Sequence, residues 1–367
     1  MIEVSRVKVS DLIPLANDPS LAERDNVPIS RHRAISHAAN PRANPSDVVL
    51  YLAYYNGELV GYRTVMPDIL YLPQGEVRVG WLSGNWVNPE HRRKGIASAL
   101  LNEALKDWNH RLMFTNYAPE SKAVYDKVGE FKRIYKFEGR RFYLRPCFAY
   151  LLPGRNGFSR KLKPLFKAAD ILLSLVNPLP LLAYRSRPGE HVELEYMHRP
   201  DNDIATMFEK ECEGTLTRRK LYDLAWILRF PWLVNAPLGD RIGKRYYFSS
   251  APKRYYQLLL KIYCTGQLVG FLIINVNNRS MSVPYSFVLP FYRKVAARVL
   301  LAHAAKLKVN YLTVYQSAMV DALASIKPFS LLSRKHYRKY YATENLASEL
   351  QNVTIRFEEG DGDCAFI

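Results

Sequence analysis

Apolar and polar positions fall into short runs over the first part of the chain, and the breaks between runs carry strong turn signals. Residues 1–7 read as a first strand. Helical spacing follows over 11–22 and 29–39, with a charged turn at Glu23-Arg24-Asp25-Asn26 between them and a stop at Asn40-Pro41. Strand-like runs at 48–55 and 58–66 meet at Asn56-Gly57, a pair that tolerates the left-handed backbone of a tight hairpin. A turn at Pro73-Gln74-Gly75 leads into a strand over 76–87. The period then becomes helical over 98–108, with an apolar stripe of Leu100, Leu101, Ala104, Leu105 and Trp108. A short strand at 112–116 and a helix over 120–127 stopped by Gly129 come next. A hairpin of 132–137 with 141–145, turning at Glu138-Gly139-Arg140, is expected to close a domain near residue 146.

From residue 192 the pattern begins again. A strand at 192–197 precedes helices at 204–212 and 218–230, and a hairpin of 256–264 with 267–276 turns at Thr265-Gly266. Gly266-Gln267-Leu268-Val269-Gly270-Phe271 echoes Gly57-Glu58-Leu59-Val60-Gly61-Tyr62, and Val288-Leu289-Pro290-Phe291-Tyr292-Arg293 echoes Val87-Asn88-Pro89-Glu90-His91-Arg92. The chain thus holds an internal repeat of about 200 residues. Three segments are expected: a first domain at 1–146, a basic amphipathic linker at 147–190 and a second copy at 191–367.

The chemistry centres on the junction after the strand at 76–87, where Asn88 to Ala97 open directly into a helix. The first N–H groups of a helix lack internal partners and its dipole adds positive potential, so such a junction attracts an anion. Gly95 allows close backbone approach, and Arg92, Arg93 and Lys94 add charge. Neither G-x-x-x-x-G-K-[ST] nor G-x-G-x-x-G is present. Arg92-x-x-Gly95-x-Ala97, led in by Val87-x-Pro89-x-x-Arg92, resembles the pyrophosphate loop of the GNAT superfamily of acyl-CoA-dependent N-acyltransferases. Asn116, Ser121, Tyr125, Gly129 and Phe131 resemble the remaining signature of that family, with a stretched gap before Ser121 and Glu130 intruding before Phe131.

The resemblance implies a mixed α/β fold, here two tandem GNAT-like domains, each a mostly antiparallel mixed sheet flanked by helices. It implies an acyl-CoA donor, acetyl-CoA by default, held by Arg92, Arg93, Lys94, Gly95, Ile96, Ala97 and Asn116 and by backbone groups near Asn85 and Val87, with the helices at 11–22 and 29–39 overhanging the acceptor. Tyr125 takes the place of the acid that protonates the departing thiolate. For the general base Glu76 is the candidate carried forward. Ser83, Asn85, Glu23 and Asp25 are weighed beside it, and His91 is assigned to the phosphate end. Trp81, Trp86, Tyr51, Tyr54 and Tyr55 read as core rather than as a substrate platform. In the second copy Lys294-Val295-Ala296-Ala297 lacks the glycine, so one donor site is expected.

Composition narrows the partners. The chain has 367 residues, enough for two cores, and a net charge of +18, which favours an anionic partner without naming one. Cys147, Cys212, Cys264 and Cys364 are far apart and suggest neither a zinc site nor a disulfide framework, so a reducing cytoplasm is expected and no metal. From residue 154 to 189 seven Lys or Arg (Arg155, Arg160, Lys161, Lys163, Lys167, Arg185, Arg187) face one acid, Asp170. A packed linker helix with a solvated basic face is preferred to a helix lying on anionic lipid, and the segment is too interrupted to span a bilayer. Glu358 to Asp363 read as a solvated acidic turn. The leading expectation is N-acyl transfer to a small-molecule or peptide amine, with nucleic acid disfavoured. An aminoacyl-tRNA-dependent transferase and a non-catalytic acyl-CoA-binding or membrane-surface module are the alternatives.

Overall fold

The structure, a computed structural model, describes residues 2–116, 119–152, 161–176, 189, 191–326 and 332–366. In chain order the elements are β1 (Ile2–Lys8), α1 (Leu12–Ala16), α2 (Arg31–Ala38), β2 (Val48–Tyr55), β3 (Glu58–Leu72), β4 (Gly75–Val87), α3 (Ile96–Asp107), β5 (Leu112–Thr115), α4 (Pro119–Val128) and β6 (Phe131–Tyr143). There follow α5 (Phe148–Leu151), α6 (Lys163–Val176), β7 (Val192–Met197), α7 (Asn202–Cys212), α8 (Leu221–Arg229), β8 (Tyr255–Cys264), β9 (Gln267–Asn277), β10 (Ser280–Val288), α9 (Arg293–Lys306), β11 (Tyr311–Val314), α10 (Ser317–Ala324), β12 (Ser333–Thr343) and α11 (Glu344–Glu349). No helix among the described residues is long and apolar enough to cross a membrane.

The fold is mixed α/β and repeats itself, strand for strand. In the first half β1 to β4 form an antiparallel meander and β5 lies parallel to β4; in the second, β7 to β10 form the meander and β11 lies parallel to β10. Even the irregularities recur. A register shift at Ala53/Tyr54 faces Gly61 and one at Ile262/Tyr263 faces Gly270, the two glycines of the echoed hexapeptide. Both glycines are needed for close approach, since a Cβ at Gly61 would lie 2.8 Å from Ile96 Cγ2 and one at Gly270 2.4 Å from the Phe287 carbonyl.

The last strand of each half is exchanged. β6 pairs antiparallel with β11 through Tyr143↔Tyr311, and β12 pairs antiparallel with β5 through Tyr341↔Phe114. The chain therefore forms two compact units that are discontinuous in sequence: residues 1–137, 200–253 and 338–367 make one, and 138–199 with 254–337 the other. These units cut across the expected divisions at 146 and 190. The expected hairpin at 138–140 does not form either, because β6 runs unbroken through Gly139. That glycine answers a packing demand: a Cβ there would lie 2.6 Å from both the Tyr315 ring and the Val314 carbonyl.

In the first unit α3 packs Leu100, Leu101, Ala104 and Leu105 against the sheet, and Trp108 Nε1 donates to the Val48 carbonyl at 3.0 Å. The expected helix over 11–22 is shorter than its periodicity suggests, ending at Ala16 with a 3-10 turn over Pro19–Glu23. α2, α7 and α8 belong to this same unit, as does the C-terminal stretch. Its acidic residues are a second correction, since Glu358, Glu359 and Asp361 are buried rather than solvated.

Candidate active site

β4 ends at Val87, and a 3-10 turn over Pro89–His91, capped by Asn88 accepting from the Glu90 N–H at 3.1 Å, redirects the chain. Arg92 is extended, Arg93 has φ +64 and Gly95 φ +84, and Gly95 is the N-cap of α3. A left-handed arginine is strained by about 1 kcal/mol, so this loop is held in a shape its sequence resists. The second copy has no such loop: α9 starts at Arg293 immediately after its 3-10 turn over Pro290–Tyr292, and Val295 packs into the core of its own unit.

β4 and β5 stay paired only at Gly80↔Leu112 and Trp81↔Met113, although both strands continue. Past that point the β5-facing edge of β4 has no strand partner among the described residues, and a bulge between its pairing with Arg63 and with Val65 turns Ser83 and Gly84 aside, fixed by the Gly84 N–H donating to Thr64 Oγ1 at 2.7 Å. A cavity of about 970 Å³ occupies the gap. Asn85, Val87, Arg92, Arg93, Gly95, Ile96, Ala97, Asn116 and Tyr125 all line it, together with Ser98 and His91. Asn85 Oδ1 is buried without a hydrogen-bond partner. Lys94 does not line the cavity; its ammonium stands 5.9 Å from the Tyr55 ring. Asn116 has φ +46 and its Oδ1 accepts from the Lys339 N–H at 3.1 Å, so its amide is engaged in holding β12.

Tyr125 is clamped as a ring. It stacks on Phe114 at 4.2 Å and meets Phe131 edge-on at 5.3 Å. The guanidinium of Arg63, a side chain only 1% exposed, donates from Nη1 to the Tyr125 hydroxyl at 3.4 Å, while its Nε and Nη2 have no hydrogen-bond partner. A donor held on the phenol oxygen favours the arrangement in which the phenol directs its own proton elsewhere.

Glu76 does not reach this cavity. It is exposed at the opposite end of β4, about 30 Å from Asn85 at 3.3 Å per residue. Glu23 and Asp25 are exposed as well and do not line the opening. The carboxylate that does line it is Asp363, missed because it lay in what reads as a surface turn. Its Oδ2 accepts from Ser83 Oγ at 3.2 Å and its Oδ1 from Thr115 Oγ1 at 3.3 Å, bridging the two strands where they part. Burial pushes its pKa up, against the opposing pull of Arg33, Ser83 and Thr115. Arg33 on α2 lies 3.4 Å over the Trp232 ring and 3.5 Å from Ser83 Oγ. Tyr247 and Phe248 complete the wall, with Trp86 stacked 5.2 Å from Tyr62 behind them, so Trp86 is a wall residue as well as core.

A buried ion network holds the C-terminal stretch in place. Arg42 binds both oxygens of Asp223 at 2.7 and 2.6 Å and reaches Asp68 at 2.9 Å; Arg219 binds Asp68 at 2.6 Å and Asp361 at 3.2 Å. Trp81 Nε1 also donates to Asp68, which confirms that tryptophan as core. Burial raises the Asp68 pKa, but Arg219 and Arg42 outweigh it and the net shift is downward. For Asp361, burial wins over Arg219 and the shift is upward. Asp361 also accepts from Thr217 at 2.9 Å and from the Glu358 N–H at 2.7 Å, anchoring the turn two residues before Asp363.

Residues 28–131 match the family model described as Acetyltransferase (GNAT) domain. Comparison with curated proteins finds no match. Among solved structures, a GCN5-related N-acetyltransferase from Anabaena variabilis is similar over 93% of this chain and 72% of its own, at 10% identity and a TM-score of 0.50. A protein of Enterococcus faecalis described as a probable N-acyltransferase is similar over 95% and 74%, at 10% identity and a TM-score of 0.52. These identities speak for the fold alone. A tandem GNAT protein from the clavulanic acid biosynthesis pathway aligns over 94% of this chain and 99% of its own, at 15% identity and a TM-score of 0.47.

Proposed function

Given that the chain carries a GNAT acetyltransferase domain at residues 28–131, we propose that it transfers an acyl group, acetyl by default, from CoA to an amine within a ternary complex. The observation that carries this reading is one continuous cavity with an anion-seeking helix N-terminus at one end and a carboxylate at the other. The pyrophosphate rests on the N–H groups that open α3 and on Arg92 and Arg93. The pantetheine arm pairs with the open edge of β4 near Asn85 and Val87, much as a missing strand would.

At the far end Asp363 takes a proton from the acceptor ammonium, which its raised pKa suits to work nearer neutrality than an ordinary carboxylate. The amine nitrogen then attacks the thioester carbonyl and the C–N bond forms; the C–S bond breaks as Tyr125 gives its proton to the leaving sulfur, and the second proton that the nitrogen sheds on becoming an amide returns to the Tyr125 phenolate. Arg63 supports that step by stabilising negative charge on the phenol oxygen. The second half of the chain acts on the acceptor side, supplying Tyr247, Phe248 and Asp363. The test is incubation with acetyl-CoA and a panel of amines, aminosugars, lysine peptides and polyamines, following free thiol. Thiol release that depends on an added amine supports the proposal, and none from any amine or acyl-CoA refutes it.

A further inference from the structure

Within its own unit α6 turns one side toward α5 and leaves the other bare. Asp170 accepts from the Phe148 and Ala149 N–H groups at 2.7 and 2.9 Å, and Phe166 and Ala169 are half-buried beside it. Leu165, Ile171, Leu172 and Leu175 are 55 to 71% exposed, and Ala168 is exposed among them. Leu165, Ala168, Leu172 and Leu175 recur at steps of three and four, so they form one stripe along the helix. The expectation of a packed linker is met on one side only: the helix is formed, but among the described residues Leu165, Ile171, Leu172 and Leu175 are exposed. Apolar exposure on this scale marks an interaction surface.

The charge beside the stripe selects the occupant. Lys163 and Lys167 lie on the polar side of α6 and are exposed, and the segment 154–189 carries five further Lys or Arg in its sequence. Its single acid, Asp170, is occupied with the backbone of α5 and does not offset them. A second copy would bring the same excess, seven Lys or Arg against one acid over residues 154–189, and offers no acidic surface to meet it. A helix of 14 residues is about 21 Å long and cannot cross a bilayer, but it can lie in the interface with leucines among the acyl chains and lysines at the headgroups. We propose that α6 docks the protein on a membrane surface rich in acidic lipids, independently of the reaction proposed above.

The full chain is sedimented with vesicles of phosphatidylcholine containing about 30% phosphatidylglycerol, and in parallel with pure phosphatidylcholine. Binding to the acidic vesicles is expected to be at least tenfold tighter, and to weaken steeply at about 0.5 M salt. Leu172→Glu combined with Leu175→Glu should lower it by about thirtyfold or more, with the circular-dichroism melting temperature unchanged because both side chains are already exposed. Absence of binding to either vesicle overturns the proposal. So does binding that the double variant retains, which would reduce the effect to the net charge of the chain. A dimer in sedimentation velocity that the double variant dissolves would seat a second copy on the stripe and overturn it equally.

Discussion

Gly95 offers the sharpest test of the donor site, because the perturbation can be separated into strain and charge. At φ +84 any L residue is strained by about 1–2 kcal/mol, yet a Cβ built there meets no protein atom within 4 Å. Gly95→Ala therefore adds strain without a clash, to the free and CoA-bound protein alike. Gly95→Glu adds the same strain and a carboxylate at the mouth of α3. At roughly 5 Å from a phosphate oxygen, with an effective dielectric of about 40 for this exposed loop, that charge costs about 1.7 kcal/mol, or roughly seventeenfold in Kd. Attraction of the carboxylate to the free helix end, about 0.3–1 kcal/mol, also favours the unliganded protein. Isothermal titration with CoA should therefore show Gly95→Glu binding at least thirtyfold more weakly than wild type and Gly95→Ala within about fivefold. Glu binding within threefold of wild type would remove the phosphate from this loop. An equal loss in both variants would show that backbone shape, and not an anion, governs the site.

Asp363→Asn should lower kcat by about 10²–10⁴ with CoA affinity unchanged, measured by thiol release with whichever amine proves to be the acceptor. A base works only when ionised, so the rate should rise with pH through the raised Asp363 pKa, an acidic limb above the ordinary carboxylate range that the Asn variant lacks. Tyr125→Phe should reduce kcat by about tenfold or more while leaving the Phe114 stack and the CoA Kd intact; a fall in affinity alone would assign the tyrosine to binding. Asp68→Ala strips the central partner from two buried arginines and should cost about 3–5 kcal/mol in urea unfolding. Because the Asp68 pKa is lowered in the folded chain, its contribution is present above the unfolded value near 3.9 and is lost as pH falls through the folded one.

The meander and α3 were legible because local signals specify them: Asn56-Gly57 and Thr265-Gly266 close hairpins with positive φ at both residues, as the sequence implies. Val87 to Ala97 was legible for the same reason, since loop shape and helix start lie within one short stretch. What escaped was non-local. Gly139 looks like a turn residue and is a packing residue, and only the Tyr315 ring reveals the difference. Glu358 to Asp363 have the composition of a solvated turn, and nothing nearby betrays that Arg219 and Arg42 wait to pair with that stretch and its partners. The bond between Thr115 and Asp363 spans 248 positions, beyond the reach of any motif.

The exchange of final strands explains how one repeat can be asymmetric without being idle. With β12 placed beside β5, the chain after it is delivered into the unit that holds the Arg92–Ala97 loop, and Asp361 secures it there through Arg219. α7, α8 and residues 230–253 join the same unit and bring Trp232, Tyr247 and Phe248. At the matching position the second copy has a continuous helix start, with half-buried Val295 packed against the core of its own unit. On the proposed reading, the missing glycine of the second copy and the placement of Asp363 belong together: the first half of the sequence builds the donor end of the site and the second half its acceptor end.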